Sequence, residues 1–287
     1  VFNFWRDANN PRGLWRVSPR AAYDAGTPQW TTVLDMDKLE SAERANLQFA
    51  DANCLAPAWR RCLVSLSVGG KDAVELREFD LKTRRFVQSG FRLPEAKQRI
   101  AWLDADRVLV ATAAGPATAS GYAREVRLWQ RGTPYSAATL LLRAAETDVF
   151  ASPQAYGQAE GRRTVIQHRL TFWNTRIHHL TADFSLQLSP LPEDADFLFI
   201  ANTGQGPRSF ALLQTDFAGI PKGSLVSYAV PNAGPLGKVE AVFTPSQTQA
   251  IASVRATGKA IYIALLDNVA AMLLRLERSA DAWARHE

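Results

Sequence analysis

The chain has 287 residues, 47% of them hydrophobic, and a formal net charge of +5. We expect one domain, residues 1–287, with a large buried core; no apolar run approaches the length that spans a bilayer, so we expect no membrane partner. The basic residues are scattered among acidic ones rather than gathered into a stripe, so we expect no nucleic-acid partner.

The sequence begins at Val1, inside a strand-like segment, and shows no signal peptide. We therefore expect a piece of a longer gene product. We predict a cytoplasmic location for it, with the periplasm as the alternative.

The first fifty residues predict a hairpin, a further strand and one short helix. Phe2 to Trp5 and Leu14 to Val17 flank a loop rich in turn-forming residues, and Trp30 to Leu34 follows as a strand. Met36 to Ala45 has helical periodicity, and the carboxylate of Asp35 can cap its first turn.

Three strands joined by tight turns are predicted between Cys62 and Val87. In the first strand apolar residues alternate with serines, which is the pattern of a half-buried strand. Gly69 and Gly70 supply the positive φ that a hairpin turn requires. The alternation slips at Glu78 and Phe79, which predicts a bulge or the end of the second strand.

Similar strand sets recur along the chain, with turn-forming residues between their members. The predicted strands are Arg99 to Leu103, Arg107 to Thr112, Arg124 to Trp129, Thr139 to Leu142, Thr164 to Leu170, Arg176 to Leu180, Phe184 to Leu188, Phe197 to Ala201, Ser209 to Leu213, Leu225 to Val230, Val239 to Phe243, Ile251 to Arg255, Ala260 to Leu265 and Ala271 to Leu276. The last one is helix-like in composition, but its place in the repeat favours a strand. We predict an all-β fold, a β-propeller with about six four-stranded blades; a β-sandwich is the alternative.

Cys54 and Cys62 are the only cysteines. Two cysteines cannot complete a tetrahedral metal site by themselves, so we expect no metal here. A disulfide is one alternative, and we favour a pair of buried thiols.

Several segments, in order along nearly the whole chain, carry a resemblance. They are NFWRDANNPRGLWRVS (3–18), QWTTVLDMDKL (29–39), LVSLSVGGKDAVELREFDLKTRRFV (63–87), LPEAKQRIAWLDADRVLVAT (93–112), SGYAREVRLWQRGTP (120–134) and VRATGKAIYIALLDNVAAMLLRLE (254–277). They resemble the N-terminal β-propeller of the prolyl oligopeptidase (prolyl endopeptidase) family of serine peptidases. The resemblance implies a propeller of the seven-bladed type, with about six blades in this chain, that caps an α/β-hydrolase domain.

The chemistry of such a peptidase is missing from this sequence. It needs a serine on a sharp turn, usually within G-x-S-x-G, and no such motif occurs. The four histidines are His168, His178, His179 and His286; nothing places one beside a serine and an acid, and the adjacent pair points to opposite faces of a strand. We predict structural histidines, no catalytic residue and no cofactor.

One hairpin combines a guanidinium with two large aromatic side chains. In the family that the chain resembles, a blade loop near this point approaches the peptidase active site and carries an arginine. We therefore predict that Arg169, Phe172 and Trp173 face the substrate; the alternative is a blade-surface hairpin.

The resemblance implies a function for the chain as the non-catalytic part of a serine peptidase, inactive alone. A propeller placed over the active site would admit short peptide substrates and exclude folded proteins, with the α/β-hydrolase domain as its intramolecular partner. A free-standing propeller that binds or scaffolds other molecules is the alternative, and a propeller glycosidase is a weaker third reading.

Overall fold

The computed structural model describes residues 1–157, 161–258, 260–279 and 282–286. Its antiparallel strands form six sheets, called here blades 1 to 6, that follow one another in chain order. The all-β propeller predicted from the sequence is confirmed. No helix among the described residues is long and apolar enough to cross a membrane.

Within the part of the chain that the structure describes, the blades contain 24 strands. Blade 1 contains β1 (Phe2–Asp7), β2 (Asn10–Val17) and β3 (Thr31–Asp35); blade 2 contains β4 (Leu47–Cys54), β5 (Arg61–Val68), β6 (Val74–Asp80), β7 (Arg85–Phe86) and β8 (Arg92–Ala96); blade 3 contains β9 (Gln98–Trp102), β10 (Arg107–Thr112), β11 (Glu125–Gln130) and β12 (Thr139–Arg143). Blade 4 contains β13 (Phe150–Tyr156), β14 (Arg163–Arg169), β15 (Thr175–Leu180) and β16 (Leu186–Leu188); blade 5 contains β17 (Asp196–Asn202), β18 (Pro207–Leu212), β19 (Leu225–Ala229) and β20 (Glu240–Phe243); blade 6 contains β21 (Gln249–Ala256), β22 (Ala260–Asp267), β23 (Ala270–Ser279) and β24 (Ala282–His286).

Two short helices interrupt the strands, α1 (Arg20–Asp24) and α2 (Met36–Glu43). A single turn of 3₁₀ helix spans Tyr135–Ala137. The predicted cap of α2 is confirmed, because the Asp35 carboxylate accepts a hydrogen bond of 3.0 Å from the backbone N–H of Lys38.

Four of the six blades have the predicted four strands, and two differ. Blade 1 has three strands, and blade 2 has five because β7 and β8 share the outer edge of β6. Strand β7 has two residues and pairs only with Phe79 and Asp80, so the remaining edge of β6 is available to β8. The strand predicted at Ala271 to Leu276 is confirmed as part of β23.

The predicted bulge at Glu78 and Phe79 is wrong. Strand β6 pairs with β5 in unbroken register from Val74 to Asp80. The alternation slips because both faces of this strand are buried: Phe79 packs in the core between blades 1 and 2, while Glu78 is buried with arginine partners. Gly69 and Gly70 form the predicted turn, with φ of 68° and 77°.

The first strands of neighbouring blades lie next to one another on the inner side of the ring, since β9 packs on β13 and β13 on β17. Within a blade the strand direction alternates, so turns after the second strand share one end of the ring. We call this end, with residues 69–72, 113–124 and 170–174, the upper face. The opposite end, with residues 55–60, 103–106 and 181–185, is the lower face.

Apolar side chains of adjacent blades interlock to form the core. Trp15 packs with the side chains of blade 2, and Trp102 and Trp129 pack with Leu63 and Leu76 between blades 2 and 3. The Trp102 indole N–H also donates to the backbone oxygen of Asn53 at 2.9 Å, across the same boundary. These tryptophans therefore hold blades together.

A buried carboxylate joins blades 2 and 3 at their outer side. The fully buried Glu78 side chain accepts hydrogen bonds from Arg61 and, at 2.9 and 3.0 Å, from both terminal nitrogens of Arg131. It also accepts from the backbone N–H of Phe91 at 3.0 Å, and the Arg131 guanidinium lies 4.6 Å from the Phe91 ring centre. Each of the two carboxylate oxygens of Glu78 thus accepts two hydrogen bonds.

The two cysteines are joined in a disulfide, so the favoured pair of free thiols is wrong. Cys54 ends β4 and Cys62 lies near the start of β5, and the register of these strands places them opposite one another with Cα atoms 3.9 Å apart. The loop 55–60 returns the chain across the lower face to make this pairing.

The histidines of blade 4 have structural partners. His168 Nε2 lies 2.7 Å from the Asp148 carboxylate, and the His178 ring stacks on that of His168. His179, on the opposite face of β15, lies 2.7 Å from the hydroxyl of Tyr228 in blade 5. The adjacent histidines thus point in opposite directions, as predicted, and His179 contributes to the contact between blades 4 and 5.

Replacement of Glu78 by glutamine should lower the free energy of unfolding by about 3 kcal/mol, because two partly buried guanidinium groups lose the charge of the buried carboxylate between them. Urea unfolding followed by tryptophan fluorescence measures this. Glu193→Gln is the matched control: its carboxylate pairs with Arg176 at the surface, so the cost should stay below about 1 kcal/mol. Equal losses in the two variants would contradict the role given to Glu78.

Acid should destabilise the contact at His179. Burial first, and then the neighbouring His178, lower the pKa of His179 from 6.5 to about 4. Between these values the unfolded chain binds a proton that the folded chain does not. The contribution of His179 is therefore complete above pH 6.5 and is lost below it at about 1.4 kcal/mol per pH unit.

Urea unfolding between about pH 7 and 5, where most carboxylates stay ionised, tests this dependence. The variant His179→Gln should show a shallower decline in unfolding free energy. His286→Gln, at an exposed site, should keep the parental slope. An identical slope in all three proteins would refute the assignment.

Candidate functional site at the upper face

The predicted substrate-facing residues lie on the turn between β14 and β15, at the upper face. Thr171 shapes the turn, since its hydroxyl oxygen accepts hydrogen bonds from the backbone N–H groups of Trp173 and Asn174. At its tip Phe172 is 72% exposed and Trp173 76% exposed. Their ring centres are 4.8 Å apart in an edge-to-face arrangement. Two large apolar side chains are thus presented to solvent side by side.

Arg169 lies at the base of this turn. One terminal nitrogen of its guanidinium donates to the Thr175 hydroxyl at 2.8 Å, and no carboxylate lies within ion-pair distance among the described residues. Its backbone oxygen accepts a hydrogen bond of 2.9 Å from Val149, just before β13. The positive charge of Arg169 is therefore without an acidic partner at this face.

A cavity of about 310 Å³ lies beside this hairpin, where β9 and β13 begin. The two sites are neighbours because Phe150, in the cavity wall, pairs with Arg169 across β13 and β14. The lining residues are Asp72, Lys97, Gln98, Arg99, Ala111, Tyr122, Ala123, Phe150, Ala151 and Ser152. Phe172 and Trp173 are outside this lining.

The cavity combines an aromatic wall with polar groups. Tyr122 and Phe150 form an edge-to-face pair with ring centres 6.3 Å apart, and the Lys97 ammonium lies 4.7 Å from the Tyr122 ring centre. Gln98 is buried; its amide nitrogen donates to the backbone oxygens of Val74 and Pro94, while its amide oxygen has no partner among the described residues. An apolar wall with a few polar groups suits binding.

Sequence reasoning missed this cavity. Phe150 lies in β13, a strand that Pro153 obscures because proline is rare inside strands. Tyr122 lies in a turn-rich loop, where an aromatic residue carries no periodic signal. The only sign of this cavity in the sequence was the pair of basic residues, Lys97 and Arg99, on either side of Gln98.

The arrangement offers binding groups and lacks a nucleophile. Among the described residues, no serine hydroxyl is hydrogen-bonded to a histidine; His168 is paired with Asp148 and His179 with Tyr228. Within that same part of the chain, no group of three or more His, Cys, Asp or Glu side chains could hold a metal ion.

Successive antiparallel sheets, most of them four-stranded, define the chain as a β-propeller domain. A family model described as the prolyl oligopeptidase N-terminal beta-propeller domain matches residues 1–283. The chain belongs to this family.

Relatives and solved structures agree with this assignment. An uncharacterized peptidase of Sinorhizobium fredii is 30% identical, over 99% of this chain and 41% of its own length. An uncharacterized peptidase of Rickettsia prowazekii is 26% identical, over 99% of this chain and 42% of its own length. The structure of a post-proline cleaving enzyme from Rickettsia typhi superposes with a TM-score of 0.85 at 25% identity, over 99% of this chain and 44% of that one. The chain thus spans about two fifths of the length of these peptidases.

Proposed function

We propose that this chain is the non-catalytic propeller of a prolyl-oligopeptidase-type serine peptidase and that it filters peptide substrates by size. Membership of the family carries the proposal. The remaining three fifths of the related peptidases are long enough for the α/β-hydrolase domain that would be its intramolecular partner. The upper face would lie over the active site of that domain.

The geometry supports this role in two ways. A propeller surrounds a central channel, which admits an extended chain and excludes a folded protein. The upper face also presents exposed aromatic groups at Phe172 and Trp173, and the guanidinium of Arg169, which has no acidic partner among the described residues. These groups can contact a short peptide through apolar surface and through its backbone oxygens.

A free-standing binding module remains the second candidate. It would need the same upper-face cavity but no hydrolase domain. The fraction of the related peptidases that this chain covers favours the first candidate.

The parent peptidase should cleave short peptides and leave folded proteins intact, because only an extended chain passes the propeller. We expect kcat/KM for a nested series of peptides to fall steeply above a limiting length. The 287-residue chain alone should show no peptidase activity, since it lacks an assembled nucleophile, base and oxyanion hole. Efficient cleavage of a folded protein at the same motif would refute size filtering.

Truncation of the hairpin should weaken peptide binding in the parent peptidase. For Phe172→Ala combined with Trp173→Ala we expect KM to rise about five- to tenfold with kcat little changed, because roughly 1 kcal/mol of contact is lost. Leu188→Ala, which removes another exposed apolar side chain of blade 4, is the control. Unchanged KM in the double variant would show that the hairpin is only blade surface.

A further inference from the structure

A second cavity, of about 780 Å³, opens on the lower face, at the other end of the ring from the peptide-facing groups. Loops of blades 2, 3, 4 and 5 contribute to its wall. Part of the wall is apolar, with Leu103 from blade 3 and Leu180 and Phe184 from blade 4. The family assignment attaches no role to this cavity.

Positive charge predominates in the lining. It contains three arginines, Arg107, Arg162 and Arg163, and a single acidic residue, Asp104. Asp104 is already engaged, because its carboxylate accepts hydrogen bonds of 2.8 and 2.5 Å from Arg107. The Arg107 guanidinium in turn lies 4.8 Å from the Phe184 ring centre. Asp104 is therefore paired with Arg107 and makes no ion pair with Arg162.

Arg162 is the arginine of this lining that offers donors to a ligand. One terminal nitrogen donates to the backbone oxygen of Trp102 at 3.2 Å, and no carboxylate of the described residues lies within ion-pair distance. Burial lowers the pKa of its guanidinium. A partly desolvated guanidinium that has donors to spare is stabilised by an anion.

Arg163 helps to hold the backbone at Arg162 in place. Its side chain is buried and donates to the backbone oxygen of Val230 in blade 5 and to that of Arg162. The backbone that carries Arg162 is thereby fixed between blades 4 and 5. The guanidinium of Arg162 is thus held at a rigid point of the cavity.

We propose that this lower cavity binds a carboxylate of a peptide against Arg162, with the neighbouring apolar side chains of that peptide on Leu103, Leu180 and Phe184. The planar guanidinium matches a carboxylate with two parallel hydrogen bonds. The inference rests on the proposed function only in taking the ligand to be a peptide. It adds a preference for carboxylate-bearing peptides at the opening that faces away from the peptidase.

Fluorescence anisotropy with the 287-residue chain tests this with three labelled hexapeptides of one apolar sequence. The first has a free C-terminal carboxylate, the second a C-terminal amide, and the third an amide with glutamate as its last residue. We expect the first or the third peptide to bind about ten- to a hundredfold more tightly than the second. The stronger of the two identifies whether the terminal or the side-chain carboxylate is recognised.

Arg162→Gln should abolish this preference, and so should high salt, which screens a partly exposed charge. Arg85→Gln, at an exposed arginine of blade 2, should retain it. Equal affinity for the three peptides, or a preference that survives Arg162→Gln, would overturn the proposal. The length limit of the parent peptidase is measured separately, so failure of this site and failure of size filtering are distinguishable.

Discussion

A buried carboxylate shared by arginines of two blades is the constraint on which this ring depends. At Glu78 two guanidinium groups and a backbone N–H meet one side chain that has no contact with water. A partly exposed carboxylate also joins blades 5 and 6, where Glu240 accepts from Arg208 and Arg278. Apolar packing between sheets tolerates sliding, whereas a multiply hydrogen-bonded carboxylate permits a single relative position of the blades.

The two ends of the ring carry different side chains. The upper face combines aromatic side chains with a guanidinium and a small cavity, while the lower face has a larger cavity with an arginine majority. Both openings are assembled from loops of several blades, so neither would survive independent motion of those blades.

Much of the fold could be predicted from sequence because half-buried strands alternate apolar and polar residues. The strand predictions failed where a strand does not alternate in this way. Strand β6 is buried on both faces, so Glu78 looked like a break; β13 contains Pro153, so its strand was missed. The disulfide between Cys54 and Cys62 depends on strand register, which spacing alone does not reveal.

The site was less predictable than the fold, because cavities arise between blades that are distant in sequence. Arg169 stood out through its aromatic neighbours, but Arg162 was one of many scattered basic residues until the structure showed its surroundings.

The surface of blade 6 has a practical consequence. Its outward face carries Leu266 and Leu273, and the adjoining turn carries Val269, all exposed. Exposed apolar side chains on one face of a sheet favour association between copies of the chain. We therefore expect the tendency of the chain to associate to rise with its concentration.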